Sequence, residues 1–574
     1  MMIWDLSKFF NSIDELDKFC LNLRKNADEF NGKFSKNLSN LNSDEFKNAM
    51  EGYEEILAGI GKVMSYAYLN FAKDTSKGAF LAKYEEIYTK IEESVLFFEI
   101  EFNELDTKTQ KNFIINTPKF GYYLENLAKS RSHQLSFLEE RILLRTANTG
   151  ASAFSRLFDE SMARARFEFE GELLKEEEIL SKLSSSSDRN IRKEAAKSLS
   201  KGLEPMQHLL TYIYNMIKTD LKNSCELRGY EYGESSRHLS NQIEKSSVDA
   251  LINASENSFG LVSKFYDKKR EILGFDKLYD YDRYAPLGGD EKMDYEEAKS
   301  IVIEAFSQFS PLFGNLAKRA FDENWCDVYP DENKQAGAFS HSASSDVHPF
   351  VLLNFTGRRR DLFTLAHELG HSIHQYLSYS VGYLNSHTPL TTAETASVFC
   401  EMLVFEYVKN RLPKEQKVAL LAGKIEDIFA TLYRQINFTT FERLVHSYEG
   451  EISSDELNRI WLQESKKMFG NSLILNDYYK IWWSYIPHFI HSPFYCYAYS
   501  YAQLLVLALF GLYKSKECDN FVEIYTKFLS LGGSKSPKEL VGMFGFDIDD
   551  EKFWNIGISQ VENLVDEFIK ESSL

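Results

Sequence analysis

Cysteine is scarce in this chain of 574 residues. There are six, Cys20, Cys225, Cys326, Cys400, Cys496 and Cys518, with no paired spacing among them. That argues against a disulfide framework and fits reduced thiols in the cytoplasm. Long apolar runs are missing as well. The most hydrophobic stretch, around Leu504-Leu505-Val506-Leu507-Ala508-Leu509-Phe510, is far shorter than the 18 or more residues of a membrane span, and reads as a buried helix. The first ten residues, Met1 to Phe10, show no charged leader followed by an apolar core, so no secretory signal is expected. An excess of positive charge is also lacking. Sixty-six Lys and Arg face 85 Asp and Glu, a net charge of −19, which argues against nucleic acid and anionic membranes as partners. Proline (11) and glycine (29) are few, which leaves little material for open, irregular loops.

What is present is helical pattern. Apolar residues make up 44% of the chain, ample for a large core, and the length predicts two or more lobes. Up to about residue 180 the chain is dense in Leu, Phe, Tyr, Lys and Glu, with apolar positions at helical spacing, as in Ile56, Ile60, Val63, Ala67 and Phe71. Glu170 to Glu178 reads as a charged, solvated connection. Leu183 to Asp188 reads as a loop in which Ser187 or Asp188 caps the next helix. We therefore expect an N-terminal helical domain over 1–180 and a second domain over 181–574. Tyr279 to Tyr284 is either a polar aromatic wall of a cleft or an interface loop. From Trp325 the texture changes. Val328-Tyr329-Pro330, Ala336 to Ser340 and His348 to Phe355 read as short strands, making a small sheet in a mainly α fold.

The stretch directly after that sheet, Leu362 to Leu377, contains His367-Glu368-Leu369-Gly370-His371. On a helix, His367 and His371 lie one turn apart on one face, where two imidazoles can clamp a Zn²⁺. Glu368 is rotated about 100° away and is placed to take a proton from water rather than to ligate. Leu362, Leu365, Leu369, Ile373 and Leu377 form the opposite, apolar face. Gly370 inside the helix costs up to about 1 kcal/mol against Ala, which predicts a packing or access requirement. A catalytic zinc needs a third protein ligand. Glu394 and Glu401, seven residues apart in Leu390 to Glu401, are the candidates; one binds metal and the other supports it. Glu394 also fits a capping box with Thr391. A third histidine of the metzincin kind is excluded, because His374 and Leu377 stand where that motif needs Gly and His. In a zinc peptidase, a strand at Phe350 to Phe355 would pair with an extended substrate. Ile486 to Tyr501 sets His488 near four tyrosines in alternation, either as aromatic packing or as donors aimed at an oxyanion.

These blocks resemble oligoendopeptidase F, within the thimet-oligopeptidase-like zinc metallopeptidases. The resemblance rests on His348 to Phe355, Thr364 to His374, Glu394 to Glu401, Ile486 to Phe489, Pro493 to Tyr495, Tyr497 to Tyr499, Gly532 to Ser534 and Phe544 to Phe546. It is strongest over 325–574 and only general over the first 180 residues. It implies a two-lobed, mostly helical shell around a deep channel, with a zincin-like core and one zinc held by His367, His371 and Glu394. It implies Glu368 as general base, with Glu401 outside the ligand set. It also assigns His488 and the tyrosines to the substrate and transition state, with Tyr501 and Tyr495 as the chosen hydroxyls. The tyrosine spacing departs from the mammalian thimet branch, and Ser342 to Ser345 lacks the glycine of many relatives. The implied activity is a cytoplasmic zinc endopeptidase acting on short peptides. A carboxypeptidase or dipeptidyl carboxypeptidase on the same scaffold would need a cation for the substrate's terminal carboxylate, for which Arg358, Arg359 and Arg360 are candidates. A non-catalytic peptide-binding protein is the alternative from another class.

Overall fold

The computed structural model describes residues 4–289 and 291–573, apart from the side chains of Phe137, Arg141, Leu144, Arg145 and Asn148. Helices dominate it, and the described strands form two small sheets. None of the described helices is long and apolar enough to cross a membrane. The chain divides into two compact units, each drawn from three stretches. Met1–Arg131, Asp290–Asn410 and Tyr513–Phe546 form the first, and Ser132–Gly289, Arg411–Leu512 and Asp547–Leu574 the second. The boundary expected near residue 180 lies inside the second unit.

In the first unit, Ser12 caps the helix Ile13–Phe34 by accepting the Glu15 N–H, and Leu16, Cys20, Leu23, Ala27, Phe30 and Phe34 form its buried stripe. A capping box between Asn42 and Glu45 starts the helix Ser43–Lys73, which buries Ile56, Ile60, Val63 and Ala67. These helices and the residues before them cover a three-stranded sheet. Trp4 meets Phe350 edge-on at 5.9 Å between ring centroids, and Phe9 stacks on it at 5.1 Å. The strand Phe350–Leu352 is central, parallel to Cys326–Asp327 and antiparallel to Phe339–His341, with Ser340 opposite Val351. The strands are shorter than the sequence pattern predicts. Pro330 and Pro349 lack the N–H a ladder needs, although Phe355 N–H still reaches the Val328 carbonyl at 2.9 Å. Being central, Phe350–Leu352 has both edges paired and cannot add a substrate strand. That expectation passes to Phe339–His341, which lies at the sheet edge.

In the second unit, Glu170 to Glu178 is largely exposed, as expected of a solvated stretch, but it is structured. Phe167–Phe169 pairs with Glu172–Leu174 around Glu170 (φ 52°) and Gly171 (φ 86°), a two-residue turn whose positive φ values match strand twist. Phe167 and Phe169 point inward, Glu168 outward. Asp188 caps Arg189–Leu203, accepting the Asn190 N–H at 2.7 Å. The turn Asp280–Tyr284 is an interior tie, since Asp282 accepts Arg189 Nε at 2.9 Å and lies 3.4 Å from Arg192 Nη2.

The helix carrying the histidines, Arg359–Ser378, packs most extensively on Thr395–Lys409. The approach is backbone to backbone at Gly370, where a Cβ would lie 2.6 Å from both the Ala396 carbonyl oxygen and the Ser397 Cα. Gly370→Ala should therefore cost about 1–3 kcal/mol or more, because the obstacle is main chain that cannot swing aside. Gly423→Ala is the matched control: that helical glycine has nothing within 4 Å, and Ala should stabilise by up to about 1 kcal/mol. Thermal unfolding of the two variants checks this. An unchanged midpoint for Gly370→Ala would refute the close-approach account.

Candidate metal centre

Asp361 fixes the start of the motif helix by accepting the N–H groups of Thr356 (2.7 Å) and Arg358 (3.1 Å). Leu362, Leu365, Leu369 and Ile373 are buried, while His367 and His371 are partly exposed with rings 4.9 Å apart at 81°. Glu394 stands at the break between Leu390–Ala393 and Thr395–Lys409. One of its oxygens, Oε2, is 3.2 Å from His367 Nε2 and 3.3 Å from His371 Nε2, and accepts the Ser397 hydroxyl at 2.6 Å. One ligand atom from each of these three residues lies within 4.8 Å of the others, the one group of this kind among the described residues. Glu401 meets His367 from behind, 3.4 Å from Nδ1, the place of a group that orients an imidazole rather than sharing its ligand atom.

Burial disfavours a charged His367, but the Glu394 and Glu401 carboxylates more than reverse this and push its pKa up to about 10. Burial likewise works against Glu394, and hydrogen bonds from both histidines hold it well below the usual carboxylate range. A site that binds protons this strongly through two imidazoles and a carboxylate also favours a divalent cation in their place. The residues present therefore fit a metal with nitrogen and oxygen ligands.

Glu368 is 7% exposed and lines the same cavity, of ≈ 430 Å³, with Phe339, Ser340, Gln375 and Thr388. Burial raises its pKa, the two histidines oppose that, and the Ser340 N–H donates to it. The Ser340 carbonyl accepts Gln375 Nε2 at 3.1 Å, so the edge strand is tied to the helix through groups facing the cavity. Burial pushes His374 down to about 3, which leaves it neutral and donating to the Ala393 carbonyl just before Glu394.

The segment Ile486 to Tyr501, in the second unit, is helical where alternation suggested a strand. His488–His491 and Tyr497–Ser515 are helices, joined through Phe494 at φ 58°. Helical phase splits the tyrosines. Tyr497 and Tyr501 are wholly buried. The Tyr497 hydroxyl accepts Asn241 Nδ2 at 2.8 Å, and the Tyr501 hydroxyl lies 3.0 Å from the Ser247 hydroxyl, its ring against Trp554. Tyr499 is 38% exposed, with its hydroxyl 3.3 Å from His488 Nε2. Tyr495 is half-buried, its ring 5.1 Å from that of Tyr499 and 6.4 Å from His488. The structure thus groups His488 with Tyr495 and Tyr499 and sets Tyr501 apart. Tyr499 is one of the four tyrosines the sequence singles out but not one of the two hydroxyls chosen there, although the i, i+4 spacing of 495 and 499 pairs them. Glu442, which the sequence did not bring forward, is buried and accepts the Phe494 N–H at 2.9 Å, which holds the left-handed residue beside Tyr495. Arg359 pairs with Glu291, and the Arg358 N–H serves the helix cap.

A histidine pair on one helix, a carboxylate from the next and a strand along the cavity define a metallopeptidase. The chain belongs to peptidase family M3, whose family model matches residues 182–559, and a second model, described as oligopeptidase F, matches residues 101–167. It is 29% identical to an oligoendopeptidase F homolog of Borreliella burgdorferi, covering 95% of this chain and 94% of that one. It is 25% identical to oligopeptidase PepF of Bacillus subtilis, covering 98% and 86%. The fold is similar to a solved structure from Chlamydophila abortus (TM-score 0.89, 23% identity, covering 99% and 98%). It is also similar to oligoendopeptidase F from Enterococcus faecium (TM-score 0.71, 22% identity, covering 98% and 99%).

The geometry separates the two glutamates by experiment. Glu394→Ala should abolish tight metal binding, while Glu401→Gln should weaken it by about 10–100-fold. Competition with a chelator, read as metal content, measures both. Equal losses would undo the distinction drawn between them.

Proposed function

We propose that this chain is a cytoplasmic zinc endopeptidase that hydrolyses internal bonds of short peptides. The observation carrying the proposal is the convergence of His367, His371 and Glu394 in the cavity that Glu368 also lines. The names of the relatives, oligoendopeptidase F and oligopeptidase, support the substrate class. Zinc held there supplies a Lewis acid that acidifies water and polarises a carbonyl. Glu368 takes the proton of the attacking water and delivers it to the leaving amine, and its burial-raised pKa suits a group that must both accept and return a proton. Glu401 and Ser397 hold the metal-facing groups of His367 and Glu394 in position.

A peptide would add to the outer edge of Phe339–His341 as a further strand, taking over the Ser340 N–H and C=O from Glu368 and Gln375. Releasing Glu368 from the Ser340 N–H on substrate entry frees the carboxylate for its proton. Only an extended chain can pair in this way, so short unstructured peptides are cut and folded proteins are not. His488, Tyr495 and Tyr499 donate to the tetrahedral oxyanion. Tyr499 takes the role assigned to Tyr501 on resemblance, because the Tyr501 hydroxyl is enclosed with Ser247.

Two substitutions test the mechanism. Glu368→Gln should keep stoichiometric zinc and lower kcat by about 10²–10⁴-fold; activity within about ten-fold of wild type would exclude the general-base role. Tyr499→Phe or His488→Ala should lower kcat by about 10²–10³-fold with metal content unchanged, and Tyr501→Phe should act on stability instead. A kinetic loss at Tyr501 without loss of stability would reverse the choice of hydroxyl.

A further inference from the structure

Residues 379–393 join the helix Arg359–Ser378 to Glu394, and part of this connection bounds the metal cavity. Ser378, Ser386 and Thr388 line that cavity together with the two histidines and Glu394. The Ser378 hydroxyl donates to the Gln375 carbonyl at 2.9 Å and the Ser386 hydroxyl to the Tyr383 carbonyl at 2.9 Å, so each hydroxyl is tied to its own stretch of chain and keeps its lone pairs. The carboxylates that line the cavity, Glu368 and Glu394, both belong to the metal centre, and no lysine or arginine lines it.

Three stretches distant in sequence, all in the first unit, hold this connection in place. Glu54, paired with Lys119, accepts the Leu384 N–H at 3.3 Å. The Lys119 carbonyl accepts Nδ2 of the buried Asn385 at 2.8 Å. The third is the turn at Gly532-Gly533-Ser534, which supplies no ligand to the metal centre. The Gly533 N–H donates to the Asn385 carbonyl at 2.7 Å. A Cβ at Gly533 would overlap the His387 carbonyl oxygen, and one at Gly532 (φ 50°) would lie 2.9 Å from Ser378 Cβ. The turn thus meets the main chain of 385 and 387, while 386 and 388 line the cavity. One thickness of chain separates the turn from the cavity.

A group added at Gly533 can be accommodated only by shifting His387 and its neighbour Thr388, because the obstacle is a backbone carbonyl and not the end of a flexible side chain. We infer that Ser378, Ser386 and Thr388 form the subsite for an uncharged substrate side chain beside the cleaved bond, and that Gly533 is the positioning residue that sets its depth. A charged side chain would find hydroxyls there but no counter-ion free of the metal centre, and a charge buried without a partner is costly. The inference rests on the peptidase reading above and adds to it a limit on the residues that flank the cleaved bond.

A peptide series of one sequence decides it, with Ala, Leu, Phe, Glu or Lys placed at either of two adjacent central positions. Binding is measured calorimetrically on zinc-loaded Glu368→Gln enzyme, and turnover with Glu368 intact. At one of the two positions Ala and Leu should bind at least about ten-fold tighter than Glu and Lys. Thr388→Phe should weaken the Leu peptide by at least about ten-fold and spare the Ala peptide, and Thr388→Ala should strengthen the Phe peptide. Gly533→Ala should shift selectivity in the direction of Thr388→Phe with metal content unchanged, and adding Thr388→Ala to it should restore the Leu peptide. A glycine with a merely structural role would weaken every peptide alike, so equal weakening by Gly533→Ala would overturn its positioning role. Should Gly533→Ala fail to fold, the Thr388 variants decide alone. Selectivity indifferent to both Thr388 substitutions, or no preference against charge at either position, would overturn the subsite. Selective binding with no cleavage by the Glu368 enzyme would sink the peptidase reading and leave the side-chain subsite standing.

Discussion

Everything at the metal centre depends on how closely two helices approach. Glu394 and Glu401 meet opposite nitrogens of one imidazole, an arrangement that the close helix approach holds in register. Gly370, between the two histidines in sequence, removes the one side chain that would hold Arg359–Ser378 away from the Ala396 and Ser397 backbone. The apolar stripe from Leu362 to Ile373 then locks the rotation of the helix. Position along the axis and rotation about it are both set by groups that take no part in chemistry. This is why a glycine that costs helix propensity stands inside the motif.

The same two helices explain the division of labour between carboxylates. Ser397 Oγ donates to the Glu394 oxygen that faces both Nε2 atoms, which leaves that residue anionic and fixed at the break between helices. Glu401, two helical turns further on, can reach only Nδ1 of His367. The equivalent service for the turn before Glu394 comes from His374, one turn beyond His371, which burial keeps neutral and which binds the Ala393 carbonyl. Supporting groups thus repeat at helical spacing along both helices.

How much of this was legible in the sequence follows from the range of the interactions involved. The motif helix, its apolar face and a cap at Ser187 or Asp188 are local, and helical spacing states them directly, while Gly370 announces a packing demand without naming the backbone it meets. The choice between Glu394 and Glu401 depends on which face of Thr395–Lys409 meets which nitrogen, and residue spacing left that open. The edge strand was misassigned because Val351 and Ser340 are equally strand-like in pattern, and only pairing shows which has a neighbour on both sides. The hairpin at Glu170-Gly171 was missed because a run of acidic residues hid the alternation of Phe167 and Phe169.

The tyrosines show how one wrong period propagates. Tyr495, Tyr497, Tyr499 and Tyr501 alternate with smaller residues, and period two would send all four to one side. From Tyr497 onward the backbone is helical, and period 3.6 sends 497 and 501 inward, to Asn241 and Ser247, while 499 turns outward to His488. The inward hydroxyls are satisfied by neighbours that fold the unit. The outward ones stand beside an imidazole whose Nδ1 has no partner among the described residues and whose pKa is depressed mainly by burial. A neutral imidazole donates one hydrogen bond and can pass it on through Tyr499. Burial thus sorts four chemically identical phenols into two that pack in the interior and two that keep contact with solvent.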